Sequence, residues 1–389
     1  MECTICKKSL RMLNEVKYRN GFTNKDYIQK IGYCDNCDFV TTLTPISYEE
    51  QKWLYNGGDD YTNFSSKNIE KDNNFMRIRK MKSTLDALEL DIDTVFDVGA
   101  HNGELLDYFK KQGKQIFGCD TSEQGIQNAR ERYGIELIQG DLHSITLKCN
   151  LDKYDLVSVC HVMEHILDLD EFCRDLASLT DKYIYIEVPC VTERKCGEPF
   201  GFFVEEHINY FSPYSMTVLM EKHGFDLIEM QIDHMIGFKI EGGFPMIRAV
   251  YKKGESKTSV RPIITSDEVM NKYFYYSKNS MGNIDNIIKT FENKKIAVFG
   301  ASFQLNRLIA YTSLRNMDIT CIIDNSKKKQ GRYYHIGEKA VPIVSPMEAG
   351  NYTIECLILA SWNNHIVMKK QAEELGIAEE IVLLPGQEI

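Results

Sequence analysis

Residues 94–134 read TVFDVGAHNGELLDYFKKQGKQIFGCDTSEQGIQNARERYG, and this stretch decides the fold. The apolar run TVFDV has the length and composition of a short buried strand. A turn bearing Gly99 and Gly103 follows, after which Leu105, Leu106 and Phe109 share one face of a helix. QIFGC is a second strand that ends at Asp120, 17 residues after Gly103. Strand, glycine turn, helix and strand make a βαβ unit, the building block of a parallel α/β sheet. Glycines at such a turn let backbone N–H groups come close to a ligand, and an acid at the end of the second strand stands where ribose hydroxyls are held.

The spelling of the turn narrows the ligand. A dinucleotide turn needs G-x-G-x-x-G to seat a pyrophosphate, whereas this one reads D-V-G-A-H-N-G, with Asp97 two residues before Gly99. S-adenosylmethionine carries an ammonium group and no phosphate, so Asp97 and nearby carbonyls suit it, with Gly99 and Gly103 allowing close approach. Further on, LIQGDLHSI places Asp141 after a third strand, where it would accept from an adenine amine. YDLVSVCHVMEHILDLDEF is a fourth strand running into a helix, and YIYIEVPC is a fifth. His161 is a candidate for the pocket lining, with core packing as its equal rival. In this order the elements resemble class I S-adenosylmethionine-dependent methyltransferases, which implies a Rossmann-like α/β fold and that cofactor.

Four of the 12 cysteines fall in two pairs near the start, Cys3/Cys6 and Cys34/Cys37. Each C-x2-C turn aims two thiolates at one point, and two such knuckles complete a tetrahedral Zn2+ site with no position left for substrate. A pair of redox CxxC motifs is the lesser reading, because no βαβ pattern surrounds them. A structural zinc there would stabilise a small module with little core of its own.

The last third repeats the grammar of the middle. KKIAVFGASFQLNRLIAYTSL is a strand, a glycine turn and a helix, and DITCIIDNSKKKQG is a strand ending in Asp324. VMNKYFYYSKNSMGNIDNIIKTF before it is an amphipathic connector. The chain therefore divides into a zinc-binding module and linker at 1–70, an S-adenosylmethionine-dependent methyltransferase domain at 71–255, and a helical connector with a second Rossmann-like α/β domain at 256–389. Its length of 389 residues suits several cores rather than one.

Composition excludes some partners. A net charge of −10 argues against nucleic acid, which is bound through clustered Lys and Arg, although Lys327, Lys328 and Lys329 form a local basic run. The sequence shows no apolar run near the ~20 residues of a membrane helix, and the opening MECTICKKSL lacks a secretory core, so a cytoplasmic protein with no membrane partner is expected.

Together these pieces resemble the three-domain sugar-nucleotide C-methyltransferases. The likeness rests on Cys3/Cys6 and Cys34/Cys37, on DVGAHNGELL, on the EH-INYFS segment, and on VFGAS, IIDNSKKKQGRYYHIGEKAVPIVSP and LILASWN in family order. It implies a nucleotide-linked 4-keto-6-deoxysugar as acceptor, held between the central and C-terminal domains and methylated on the carbon beside the ketone.

The segment FVEEHINYFS at 203–212 then acquires a task. By itself Glu-Glu-His is most often a solvated turn. Beside a ketone, however, a C–H is acidic enough for a positioned base, and a histidine with a pKa near ~6.5 can take the proton at neutral pH. His207 is the expected base and Glu206 its orienting partner, while Glu205 is expected to be solvated. The family reads approximately Tyr-His-Glu-His here, so Val204 stands where a tyrosine would, and Glu241 stands where the family has histidine before two glycines. The resemblance also carries over Tyr61 and His165 as catalytic residues.

Rival functions are O-methylation of a sugar or surface-polysaccharide precursor, a non-catalytic scaffold that keeps the cofactor fold, and RNA methylation. The last would use Cys190 of VPC as nucleophile, but the acidic balance and the lack of an aromatic-basic groove oppose it. The sequence does not separate C- from O-methylation, nor does it give the oligomeric state.

Overall fold

The structure, a computed structural model, describes residues 1–47, 49–50, 67–149, 151–193, 197–235, 244–254 and 264–387. Tyr61 and Glu241 lie outside the described residues, as does most of the Gly/Asp/Asn-rich stretch around 54–68. Three sheets organise the rest.

Near the start, β1 (Arg11–Asn20), β2 (Lys25–Cys34) and β3 (Phe39–Thr42) form an antiparallel meander. The middle sheet begins with β4 (Thr94–Val98), β5 (Gln115–Asp120), β6 (Ile138–Gln139), β7 (Tyr154–Cys160) and β8 (Thr180–Pro189), all parallel. Between these strands run helices Glu104–Lys111, Glu123–Tyr133, Leu142–Lys148 and Leu169–Leu179. The helix after β4 buries Leu105, Leu106 and Phe109, the face its spacing predicts.

The two-residue strand β9 (Asn209–Tyr210) leaves the middle sheet and pairs with β3 of the meander. β10 (Phe225–Met235) and β11 (Phe244–Lys253) then complete the middle sheet in the order β10-β11-β8-β7-β4-β5-β6, with β11 antiparallel to β8. The order reverses between β4 and β7, so the crevice above their carboxyl ends is the topological switch point where such sheets bind ligands. This is the class I Rossmann-like methyltransferase arrangement.

Helix Ser266–Lys289 leads to a third sheet of β12 (Ile296–Phe299), β13 (Ile319–Ile323), β14 (Tyr333–Ile336), β15 (Lys339–Val344), β16 (Cys356–Leu359) and β17 (Glu380–Val382), ordered β14-β15-β13-β12-β16-β17. Its switch point lies between β12 and β16. There Asp324 accepts from Ala301 N at 2.9 Å and from Ser326 N at 2.8 Å.

The three parts share their cores. Cys3, Ile5, Cys34, Cys37 and Phe39 pack into one cluster with the middle sheet. Val16, Ile31, Tyr33 and Val40, from the other side of the meander, join a cluster with helix Ser266–Lys289 and the third sheet. The meander is therefore a wedge between the two α/β units, and much of the stability of its sheet comes from neighbours.

Candidate active site

The glycine turn after β4 is built as its sequence demands. Gly99 sits at φ 74°, and a Cβ on it would meet Val162 Cγ2 at 2.5 Å, so glycine is required both by conformation and by space. Its N–H and that of Ala100 donate to Cys119 O at 3.0 Å, folding the turn onto β5. Asp120 then clasps the turn: Oδ2 accepts from His101 N at 2.7 Å and Oδ1 from Ser122 N at 2.7 Å.

Asp97 lies beneath the turn, 4% exposed, with Ser158 Oγ–H donating to its Oδ1 at 2.6 Å. Burial pushes its carboxyl up to about 7, against that hydroxyl and the positive charge of Arg77. Gly103 caps the following helix at φ 77°. Asp141 is a helix cap, its Oδ1 accepting from Ser144 N at 2.9 Å and its Oδ2 from Ser144 Oγ at 2.8 Å.

The loop after β7 forms the second wall, and Val162 presses it against Gly99. His161 holds φ 56°, a conformation uncommon for a residue with a side chain, and its N–H donates to Glu187 O at 2.9 Å. Its Nδ1 lies 3.2 Å from Glu164 Oε1 and its Nε2 3.2 Å from Glu187 Oε1. Both carboxylates only accept, so both ring nitrogens carry protons. Burial opposes the charge, yet the two carboxylates raise His161 to about 9 and are themselves held near about 2. Arg248 Nε completes the chain at 2.8 Å from Glu187 Oε2, and Lys80 reaches it through Asp233.

The third wall is the segment around His207. Ile208 N donates to Glu164 O at 2.7 Å, Asn209 Nδ2 to Met163 O at 2.9 Å and to Ile166 O at 2.7 Å, and His165 Nδ1 to Glu206 O at 3.1 Å. Gln29 Nε2 and Tyr210 OH both donate to His207 O. The rings of His165 and His207 meet edge to face, centroids 4.8 Å apart. The segment is thus pinned between the β7 loop and the N-terminal meander.

Of the sequence-derived candidates, Asp97, Gly99, Gly103, Asp120, His161, His165, Glu206 and His207 meet along these three walls, with Asp141 capping the helix after β6. Glu205 differs from expectation, because Asn306 Nδ2 of the third sheet's first helix donates to its Oε1 at 3.4 Å. Arg307 of that helix pairs with buried Glu198 at 3.3 Å and donates to Phe203 O, tying the C-terminal unit to the same segment. Cys190 is fully buried, which raises its thiol and unfits it as a nucleophile.

Sequence reasoning missed Glu187 and Arg248, and gave Glu164 no role. The signal was present: a lone acid in YIYIEVP and a lone base in FPMIRAVY interrupt apolar strands, and the β8–β11 register sets them opposite each other.

At the N-terminus, Cys3 Sγ lies 3.5 Å from Cys37 Sγ and Cys6 Sγ 3.4 Å from Cys34 Sγ, with all four sulfurs within 4.8 Å of one another. Backbone N–H groups of Ile5 and Cys6 bond to Cys3 Sγ, and those of Asn36 and Cys37 to Cys34 Sγ. Four converging sulfurs with amide donors behind them fit Zn2+.

Two family models match this chain: a methyltransferase domain over residues 61–230 and a C-methyltransferase C-terminal domain over residues 278–385. The C-methyltransferase NovU of Streptomyces niveus is 22% identical over 294 residues, 70% of this chain and 67% of that protein. A ubiquinone biosynthesis O-methyltransferase of Sinorhizobium medicae (strain WSM419) is 23% identical over 142 residues, 36% of this chain and 55% of the relative. Among solved structures, magnesium protoporphyrin IX methyltransferase from Synechocystis PCC 6803 with bound S-adenosylhomocysteine is 18% identical, with a TM-score of 0.38, covering 54% of this chain and 95% of that one.

Proposed function

The chain belongs to the multi-domain C-methyltransferase family and is an S-adenosylmethionine-dependent methyltransferase, and from that premise we propose that it methylates a carbon beside the ketone of a nucleotide-linked sugar, with His207 as base. The observation that carries this reading is the His165–His207 ring pair, 4.8 Å between centroids, on a loop whose Val162 packs against the cofactor turn.

Asp97, Gly99, Gly103 and Asp120 would hold the cofactor, and His161 would border it. Bound there, S-adenosylmethionine supplies an electrophilic methyl group. The protein's part is to make the acceptor carbon nucleophilic. His207 removes the proton from that carbon, the C–H electron pair moves into an enolate, and the proton stays on the imidazole. His165 and the backbone clamps on His207 O and Ile208 N–H hold the ring at the mouth of the crevice. Val204 offers no hydroxyl, so the enolate oxygen depends on another donor. A nucleotide-linked acceptor suits the third sheet, whose Gly300 turn and Asp324 repeat the backbone-to-carboxylate clasp of the cofactor turn. The four N-terminal cysteines would hold a structural Zn2+.

A second reading, methylation of a sugar hydroxyl, draws on Val204, since a hydroxyl acceptor needs a base and no enolate donor. One experiment separates the two. The protein is given a thymidine-, guanosine- or uridine-linked 4-keto sugar and a non-reactive cofactor analogue in deuterated water, and mass spectrometry follows the α carbon. Wild type should wash in deuterium and His207→Asn should not. Binding of the keto sugar without exchange, together with His207-dependent methylation of a hydroxyl sugar, would overturn the C-methylation reading in favour of the other.

A further inference from the structure

Tyr18 stands on β1, 8% exposed, and its hydroxyl has no hydrogen-bond partner among the described residues. It lies opposite Tyr27 in the β1–β2 register, and the two rings stack with centroids 5.0 Å apart and planes 11° apart. Val16 and Gln29 form the pair two positions along, so they point to the same face of the meander as Tyr18 and Tyr27.

Gln29 fixes what this face meets. Its Nε2 donates to His207 O at 3.2 Å and to Tyr210 OH at 3.0 Å, so the face lies against the 203–212 segment. Tyr18 is the diagonal neighbour of Gln29, a spacing of roughly 7–8 Å that an aromatic side chain spans. The ionisable groups acting on Tyr18 are accordingly Glu205 first, then Tyr27, Tyr210 and Glu206. From the C-terminal unit, Asn306 of helix Phe303–Tyr311 bonds to Glu205 at 3.4 Å, and Tyr311 OH accepts from Lys17 N at 2.9 Å. Tyr18 is therefore placed where the meander, the segment carrying His207 and the C-terminal unit meet. Val204 belongs to the same contact, since its carbonyl accepts from Gln29 Nε2 at 3.5 Å. β1 thus runs beside the position whose hydroxyl is missing.

We propose that Tyr18 donates the hydrogen bond to the acceptor's ketone oxygen that Val204 has no hydroxyl to give. The inference rests on the ketone reading above. As the α proton passes to the base, the C–H pair moves into the C–C bond and the carbonyl pair moves onto oxygen. The Tyr18 O–H donates to that oxygen as its charge grows, and keeps its own proton. Burial, with Glu205 next, holds the phenol above its ordinary range, so it stays a donor throughout.

The test uses the full chain, a nucleotide-linked 4-keto sugar and a non-reactive cofactor analogue in deuterated water. Tyr18→Phe keeps the stack on Tyr27 and removes only the oxygen. Exchange should slow about 10²- to 10³-fold, the effect of losing one oxyanion donor. Calorimetry should still find the keto sugar bound within about threefold of wild type, because the bond strengthens only as charge develops. Tyr27→Phe should exchange within about threefold of wild type. In the Tyr18→Phe background, Val204→Tyr should recover at least about tenfold, which a merely structural role for Tyr18 would not produce. Exchange by Tyr18→Phe within about threefold of wild type overturns the donor role and leaves the ketone reading standing. So does a loss matched in full by weaker sugar binding, or one shared equally by Tyr27→Phe. If wild type binds the keto sugar without exchange, the ketone reading fails and the donor role falls with it.

Discussion

Replacing Asp120 by Asn tests the cofactor turn most directly. Both carboxylate oxygens accept backbone N–H groups at 2.7 Å, one from His101 on the turn after β4 and one from Ser122 at the helix after β5. The residue is 8% exposed, so water does not replace a lost bond easily. Asn keeps the shape and one acceptor oxygen, but turns an NH2 group towards the other amide. One charge-assisted bond is lost, worth about 1.5–3 kcal/mol. Because the turn holds its open shape through that bond, the loss should fall on ligand binding and weaken S-adenosylmethionine roughly 10- to 150-fold. Asp120→Ala removes both acceptors and should weaken it further. Titration calorimetry with S-adenosylmethionine, alongside thermal melts, measures both effects. An Asp120→Asn protein that folds and binds within twofold of wild type would refute the argument that this carboxylate shapes the cofactor turn.

Three further outcomes are expected. If ionised Asp97 receives the cofactor's ammonium group, then with its carboxyl pushed up to about 7 the affinity for S-adenosylmethionine should fall about tenfold per pH unit below 7 and level off above it, and Asp97→Asn should flatten the profile; a wild-type affinity constant from pH 5.5 to 8.5 would contradict this. Glu187→Gln should cost towards the lower end of about 3–5 kcal/mol in urea unfolding, because buried Arg248 keeps only Asp233 and His161 only Glu164 as a counter-charge. Glu187, lowered to about 2, contributes above its ordinary ~4.5 and is lost as pH falls through 2; His161, raised to about 9, contributes below ~6.5 and is lost as pH rises through 9. The wild-type advantage should therefore be greatest between about pH 4.5 and 6.5, and an equal difference at pH 3 and pH 6 would oppose the assignment. Finally, metal analysis should find about one tightly held zinc per chain, and Cys34→Ser should lower both zinc content and thermal stability. Since β3 of the same meander pairs with β9 beside His207, the folded fraction of that variant should also lose deuterium exchange, and full retention would show that the meander does not position the base.

The sequence alone determined what depends on neighbours along the chain. TVFDVGAHNGELL folds as strand, turn and helix because its apolar spacing and its glycine at φ 74° satisfy local geometry. Each C-x2-C knuckle is held by its own backbone amides, so the spacing announced that the four sulfurs converge. The histidine and carboxylate types around His165 and His207 were equally legible as a run of titratable residues. Tertiary structure decided which of these meet. No periodicity announces that Asn209–Tyr210 will leave one sheet to pair with Phe39–Thr42 of another, since a two-residue strand has no pattern of its own and is placed by the packing around it. Nor does local sequence say that Glu187 and Arg248, 61 residues apart, will share a register and neutralise each other. The same holds for Glu164: its place beside His165 in the sequence assigns it no role, and only burial, by stripping it of water, makes its pairing with His161 matter.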